Sequence, residues 1–348
     1  MEVDATAVKR SCTSRVGHGG IVDGRVTMAR VTTPADAPTA LASERVVVLA
    51  GPGVLVGPAD RTADALAGLR SLAAAYDLGV ANTWGAKGVF NWDSPHHLGT
   101  CGLQARDFEL LGWSEADAIL AVGIDDAESP RERFALSLVI DIDVHDLSSL
   151  AASARPPKAA GDPTRPSLVN NLYPRLAAVA APGYVDDKVP LHPARAVADL
   201  GAVLPPGGLV AADPGVAGLW VARTFPTPAL APGEPRRVVV PAVREPGAAV
   251  RLAVEAARAG RPAIAVTTGP LDEATGSACA AAAEQGLDLV VVVWGSHGRL
   301  QGADEHRARI ADALGASGVT TLEIPVALED TELLVEAAGA VVAWGGLG

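Results

Sequence analysis

The sequence is poor in cysteine, in aromatic residues and in long apolar runs. Its three cysteines, Cys12, Cys101 and Cys279, are scattered, so they predict neither a disulfide framework nor a Cys-x-x-Cys metal site. No segment approaches the ~20 consecutive apolar residues of a membrane span. Residues 1–12 lack the apolar core of a signal peptide. These features predict a cytoplasmic protein without a membrane partner.

Positive charge is also in short supply. The chain has 28 Lys and Arg against 40 Asp and Glu, which gives a formal net charge of −12. Non-specific nucleic-acid binding requires clustered basic residues that displace counterions, so we expect no nucleic-acid partner. Small and apolar residues dominate instead, with 37 glycines and a hydrophobic share of 49%. This is the composition of a globular α/β protein, and 348 residues suffice for two domains.

Residues 262–298 have the pattern of a strand–loop–helix–strand unit. We predict a strand at Ala263–Val266, a helix over Ser277–Gln285 and a second strand at Leu289–Trp294. Parallel sheets of this kind bind ligands at the carboxyl ends of their strands. These ends are residues 267–270 and 295–298, where we expect any chemistry of this half to lie.

This unit resembles the pyrophosphate-binding segment of thiamine diphosphate-dependent enzymes of the acetolactate synthase, benzoylformate decarboxylase and oxalyl-CoA decarboxylase group. In that family the first strand ends in Gly-Asp-Gly and the second in Asn-Asn. The Asp and one Asn hold the Mg²⁺ that binds the diphosphate. Aligned without gaps, Gly-Asp-Gly falls on residues 268–270, and Asn-Asn falls on Gly295 and Ser296. The framework is retained and the metal ligands are replaced.

Two acidic residues, Asp272 and Glu273, follow the first of these strands. Mg²⁺ requires near-octahedral oxygen ligands, and a carboxylate displaced along the turn points elsewhere. Acidic side chains are stabilised near a helix N-terminus by the helix macrodipole. We therefore predict that both residues belong to a helix start and hold no metal.

Five landmarks between residues 45 and 143 resemble the central domain of the same family, in the same order. They are a strand at Arg45–Ala50 followed by Gly51 and Gly53, a strand at Gly79–Thr83 followed by Gly85 and Lys87, the glycine-rich Gly99–Gly102, a strand ending at Gly123, and Leu138–Asp143. The resemblance implies a six-stranded parallel, Rossmann-like domain. In some family members it holds FAD or an ADP-bearing ligand, and in others it is structural.

A nucleotide site is one interpretation of these strand ends. Backbone N–H groups of a glycine-rich turn can approach a phosphate, and a carboxylate after a strand can accept ribose hydroxyls. The alternative is that the glycines serve tight turns, because only glycine is comfortable at positive φ. The candidate residues for an FAD- or ADP-type nucleotide are Gly51, Gly53, Gly85, Lys87, Gly102, Gly123, Asp141 and Asp143. The adjacent His96 and His97 are predicted to bond to the backbone.

The C-terminal part carries a second altered cofactor segment. Asp213 and Gly215 match an Asp-x-Gly motif of the family, whereas the glycine-rich segment that approaches the diphosphate is reduced to residues 243–249. The former diphosphate site predicted from this resemblance consists of Asp213, Gly215, Gly247, Gly269 and Ser296. We assign no metal ligand, and we do not expect thiamine diphosphate or Mg²⁺ to bind without a partner.

The predicted division has four parts. These are an N-terminal arm at 1–43 with a short strand at Gly24–Val31, a central-like Rossmann domain at 44–150, a linker at 151–190 and a pyrophosphate-type domain at 191–348. The resemblance implies a further pyrimidine-binding domain that supplies an activating glutamate, and these 348 residues contain no counterpart of it.

Two functions stay open. The first is a degenerate acetolactate synthase-like homologue that is non-catalytic alone and has a regulatory, scaffolding or ligand-sensing role. The second is one subunit of a split thiamine diphosphate-dependent lyase or transferase acting on a 2-oxo acid, completed by a pyrimidine-domain chain. Family members bury the diphosphate domain against the pyrimidine domain, so an exposed apolar face is expected here. This predicts a homodimer or a hetero-oligomer.

Overall fold

The computed structural model describes residues 31–32, 36–43, 45–153, 168–295 and 297–347. The predicted strand at Gly24–Val31 overlaps this range only at its last residue. The middle of the predicted linker and Ser296 lie outside the described residues.

Two parallel sheets organise the chain. The six-stranded sheet has the order β1-β6-β5-β2-β3-β4, and the five-stranded sheet has the order β11-β10-β9-β7-β8. The strands of the first sheet are β1 (Val31–Thr32), β2 (Val46–Ala50), β3 (Gly79–Thr83), β4 (His97–Cys101), β5 (Ala118–Val122) and β6 (Leu138–Ile142). Those of the second are β7 (Leu209–Ala212), β8 (Val238–Val239), β9 (Ala263–Thr268), β10 (Leu289–Gly295) and β11 (Val319–Pro325).

Twelve helices accompany these strands within the described ranges. They are α1 (Ala37–Ala40), α2 (Ala59–Tyr76), α3 (Asp107–Leu110), α4 (Arg131–Phe134), α5 (Leu147–Ala152), α6 (Leu172–Tyr184), α7 (Pro193–Val203), α8 (Val216–Thr224), α9 (Ala248–Arg258), α10 (Glu273–Glu284), α11 (Ala303–Gly315) and α12 (Thr331–Ala338). Parallel strands require such crossover connections, which cover both faces of a sheet.

The inner strands are apolar without alternation because both of their faces are buried. All five residues of β2 and all five of β5 are buried. Their side chains divide between two cores, one on each face of the six-stranded sheet. The five-stranded sheet is likewise enclosed by two cores. This architecture confirms the predicted fold class of two Rossmann-like parallel-sheet domains.

Helix α10 begins at Glu273, four residues before the predicted start. The cause is Asp272, which is the N-cap residue and accepts a hydrogen bond from the Thr275 N–H at 2.7 Å. An N-cap carboxylate satisfies one of the N–H groups that the first helical turn leaves unpaired. The prediction that Asp272 starts a helix is thus confirmed.

The predicted linker at 151–190 contains a helix, because α6 (Leu172–Tyr184) lies within it.

A buried ion pair joins the two sheet units. Arg223 of α8 donates to Asp107 of α3 at 2.6 Å, and these side chains are 1% and 0% exposed. Arg223 also donates to the Thr100 carbonyl oxygen and to Gln104 Oε1. Asp107 in turn accepts from the backbone N–H groups of Leu103 and Gln104. These buried polar contacts therefore connect the end of β4 to α8 of the five-stranded unit.

Among the described residues, no helix combines the length and the apolar character that a membrane crossing requires.

Candidate functional site

The carboxyl end of the five-stranded sheet brings together the positions predicted as the former diphosphate site. Gly269 follows β9 and Gly295 ends β10, and a Cβ added at either position would meet no atom within 4 Å. Gly269 has φ +71 and donates its N–H to the Trp294 carbonyl oxygen at 3.0 Å. These two glycine positions therefore offer open space but no side-chain oxygen of their own.

The nearest carboxylates do not replace the lost ligands. Asp272 is committed to the N-cap of α10, and the Thr275 N–H lowers the pKa of its carboxyl. Asp213 follows β7, and its Oδ1 accepts from the Ala249 N–H at the start of α9, at 2.8 Å. Burial raises the pKa of Asp213, opposed by that hydrogen bond. A carboxylate therefore already occupies the anion-binding N-terminus of α9.

Two further glycines of the predicted site have packing or turn roles. Gly247 has φ +67, and a Cβ there would come within 3.1 Å of the Thr275 N atom. Gly215 has φ +128 and precedes α8. Across the same loop, Arg244 donates to the Gly346 carbonyl oxygen at 2.7 Å. Segment 341–347 thus lies against the loops that surround this strand end.

The described residues at this edge do not fit an Mg²⁺-diphosphate group. Mg²⁺ takes oxygen ligands in near-octahedral geometry, and Gly269 and Gly295, at the positions of the family's Asp and Asn, supply none from side chains. Within the described ranges, no group of three or more His, Cys, Asp and Glu side chains is placed to hold a metal ion. The sequence prediction for Ser296 lies outside the described residues.

In the six-stranded unit, three of the predicted nucleotide-binding glycines pack against one another. Gly51 donates to the Val122 carbonyl oxygen at 2.8 Å, and Gly53 donates to the Gly123 carbonyl oxygen at 2.9 Å. A Cβ on Gly53 would lie 2.8 Å from the Gly123 Cα, and one on Gly51 would overlap the Gly123 carbonyl. These glycines allow two loops to touch, and the N–H groups of Gly51 and Gly53 are already used within the protein.

Two other candidates of this unit, Gly85 and Gly102, lie against residues 128–129. Gly85 donates to the buried Glu128 Oε2 at 3.1 Å, and a Cβ on Gly102 would overlap Ser129 Oγ. Asp141 is exposed and forms an ion pair with Arg131. Asp143 accepts from the His145 N–H at 2.9 Å. Both carboxylates thus have local partners at the exposed end of β6.

Lys87 lines a cavity between the two units. The cavity has a volume of about 480 Å³ and extends along β4, α6 and the end of α8. The Lys87 Nζ donates to the Ala222 carbonyl oxygen at 2.8 Å. Burial, reinforced by the charge of Arg223, lowers the pKa of Lys87 to about 7.

Sequence reasoning missed the burial of two titratable groups, the His97 ring and the Glu128 carboxyl. His97 was expected to bond to the backbone, as His96 does with the Leu78 carbonyl oxygen at 3.0 Å. Instead, His97 Nδ1 is buried without a partner among the described residues, and burial together with the Lys87 charge lowers its pKa to about 4. Glu128 is 4% exposed, and burial raises its pKa to about 7. The carboxylate lies opposite the Trp-Gly-Ala turn, a contact that local sequence cannot reveal.

Comparison with known proteins finds similarity to one family model over part of the chain and to a solved structure at the level of the fold. The sequence model described as thiamine pyrophosphate enzyme, central domain, matches residues 40–155. No curated protein matches the chain. An X-ray structure of a candidate thiamin diphosphate-dependent enzyme from Mycobacterium smegmatis is similar, with a TM-score of 0.60 at 17% sequence identity. The similarity covers 84% of this chain and 63% of that one, so the chain spans less than two thirds of that protein.

The residues matched by the family model include β2–β6, and the structural similarity extends over both sheet units. At this level of identity the structural match concerns the fold. Residues 40–155 are thus similar to the central domain of thiamine pyrophosphate enzymes, and the fold of the chain is similar to that of the Mycobacterium smegmatis protein.

Proposed function

We propose that this chain is an acetolactate synthase-like homologue that does not bind Mg²⁺-thiamine diphosphate by itself. Its role on its own is regulatory, scaffolding or ligand-sensing rather than catalytic. The observation that carries the proposal is the side-chain-free pair of strand ends at Gly269 and Gly295. These are positions at which the family resemblance calls for an Asp and an Asn.

The surrounding contacts support the same proposal. A metal site loses affinity when a ligand is displaced, because the remaining ligands cannot restore the coordination geometry. Asp272 is held by the Thr275 N–H and Asp213 by the Ala249 N–H. To coordinate a metal, either carboxylate would have to leave a helix N-terminus that it stabilises.

A second candidate is a subunit of a split enzyme acting on a 2-oxo acid, completed by a pyrimidine-domain chain. Two exposed apolar side chains favour it, Val243 after β8 and Leu271 after β9, which are 57% and 38% exposed. Apolar surface at the strand ends is suited to a partner. We propose a homodimer or such a hetero-oligomer as the assembled state, located in the cytoplasm.

Calorimetric titration with thiamine diphosphate and Mg²⁺ tests the first proposal. We expect no saturable heat from the purified chain, and micromolar binding would refute the proposal. The Gly269→Asp, Gly295→Asn double variant restores oxygen donors at the two strand ends and serves as the matched comparison. For the split-enzyme candidate, the titration is repeated with proteins that co-purify from the native host.

The FAD- or ADP-type nucleotide remains a prediction for the six-stranded unit. The N–H groups of Gly51 and Gly53 would have to exchange their present acceptors for a phosphate. Thermal-shift measurements with FAD and ADP test this, because a ligand that binds only the folded state raises the melting temperature. An unchanged melting temperature at millimolar nucleotide would assign these glycines to packing alone.

A further inference from the structure

The cavity beside β4 has a polar end and an apolar body. Among the titratable residues that line it are three basic ones, Lys87, His97 and Arg223, whereas no Asp or Glu of the described ranges lines it. The basic residues cluster near Thr100, because Lys87 Nζ lies 3.5 Å from Thr100 Oγ1 and Arg223 donates to the Thr100 carbonyl oxygen at 2.6 Å. The remaining wall is built mostly from leucine, alanine, phenylalanine and proline side chains.

Lys87 lacks a counter-ion in this setting. Its side chain is buried, and no carboxylate of the described residues lies within salt-bridge distance of Nζ. Its two acceptors are a carbonyl oxygen and a hydroxyl oxygen. A buried cation without a negative partner is costly. The low pKa of Lys87, about 7, is the expected consequence.

The neighbouring groups leave hydrogen-bonding capacity unused. Arg223 Nε and His97 Nδ1 are both buried, and neither has a partner among the described residues. Asp107 is the ion-pair partner of Arg223. This carboxylate is therefore not available as a counter-ion for Lys87. Buried polar atoms without partners are rare in folded proteins, and a bound ligand is one explanation for them.

The opposite end of the cavity is suited to an apolar group. Leu172, Leu176 and Ala180 of α6 face it, and the exposed aromatic side chains of Trp92, Tyr173 and Tyr184 also line it. Small-molecule sites are typically concave and apolar, with a few polar groups that fix the ligand's orientation. A volume of about 480 Å³ is in the range of such sites.

We propose that this cavity binds a small carboxylic acid, with its carboxylate at Lys87 and its apolar body against α6. The carboxylate provides the negative partner that Lys87 lacks, and the hydrocarbon part fills the space between α6 and α8. The site uses none of the strand-end residues at Gly269 and Gly295. The proposal for this cavity is therefore independent of the proposed function.

The test is calorimetric titration of the full chain with octanoate, and with 4-phenylbutanoate as an aromatic counterpart. Octan-1-ol and octylamine serve as controls that change only the head group. We expect saturable binding of at least one of the two acids and at least tenfold weaker binding of the alcohol and the amine. Equal binding of octanoate and octylamine, or no binding of either acid at 1 mM, would overturn the proposal.

Variants separate the head-group contact from general hydrophobic binding. Lys87→Met should weaken binding of the acid at least tenfold, whereas Lys188→Met, at a lysine whose side chain is 86% exposed, should leave it unchanged. Ala177→Phe fills the cavity from α6 and should abolish binding while leaving the basic groups in place. Unchanged affinity in both Lys87→Met and Ala177→Phe would overturn the proposal.

Proton uptake provides a readout that a purely structural lysine would not give. At pH 8 the Lys87 amine is mostly neutral, and a bound carboxylate favours its charged form. Titrations in buffers of different ionisation enthalpy should report uptake of close to one proton per acid bound. The other titratable groups lining the cavity are His97, Tyr173, Tyr184 and Arg223, so Lys87→Met must abolish this uptake if Lys87 is the acceptor.

Discussion

The ion pair between Arg223 and Asp107 allows a quantitative test of how the two units are joined. Arg223→Met keeps an apolar stem but leaves the Asp107 carboxylate buried with only its two backbone donors. Removing one partner of a buried pair typically costs about 3–5 kcal/mol, because the remaining charge is uncompensated. Arg223 also donates to the Thr100 carbonyl oxygen and to Gln104 Oε1. Because these hydrogen bonds are lost as well, we expect a destabilisation near the upper end of that range.

The assay is urea unfolding followed by tryptophan fluorescence. The matched control is Arg106→Met, in an ion pair with Glu109 whose side chains are 42% and 63% exposed. This control should leave the free energy of unfolding unchanged within error, because exposed pairs contribute little. Adding Asp107→Asn to Arg223→Met should recover part of the loss, since Asn still accepts the backbone N–H groups without a charge. If Arg223→Met costs no more than the control, the buried pair does not join the units as described.

Three other predictions concern individual side chains. Glu128→Gln should flatten the pH dependence of stability between about pH 4.5 and 7. Because the pKa of Glu128 is raised to about 7 in the folded protein, the wild type should lose stability as the pH rises through this window, by about 3 kcal/mol at most. Urea unfolding at several pH values measures this loss. Gly53→Ala should destabilise the protein by about 1–3 kcal/mol through its clash with the facing loop, while Gly276→Ala, in open space on α10, should be neutral or stabilising by up to ~1 kcal/mol; equal effects in thermal melts would contradict the packing argument. Asp272→Ala should cost about 0.5–2 kcal/mol as a lost N-cap, and it should leave the heat of Mg²⁺ titration unchanged; a changed heat would reveal a metal role instead.

Local patterns predicted much of the fold. The predicted bounds of β3, Gly79–Thr83, equal the observed ones, because a short apolar strand that ends at a glycine-containing turn leaves a clear signature. The six parallel strands of the first unit followed from landmarks that the family resemblance supplied. The predicted range of α10 began four residues late, although Asp272 was itself predicted at a helix start, because the small residues that follow it give little helical periodicity.

The environment of the candidate site was much less predictable. Lys87 contacts the Ala222 carbonyl oxygen, 135 positions away in the sequence, and only the packing of one unit on the other creates that contact. The cavity, too, is lined by residues of both units. Gly51 and Gly123 were located correctly at strand ends, but their role could not be predicted. A glycine at a strand end is required equally by a bound phosphate and by a close approach of two backbone segments.

The most direct test of the central claim is a crystal of the chain soaked with thiamine diphosphate and Mn²⁺, measured by anomalous diffraction. We predict no anomalous peak between the ends of β9 and β10, because Gly269 and Gly295 offer no side-chain oxygen there. A Mn²⁺ peak at that position, coordinated by the chain and by a diphosphate, would contradict the account.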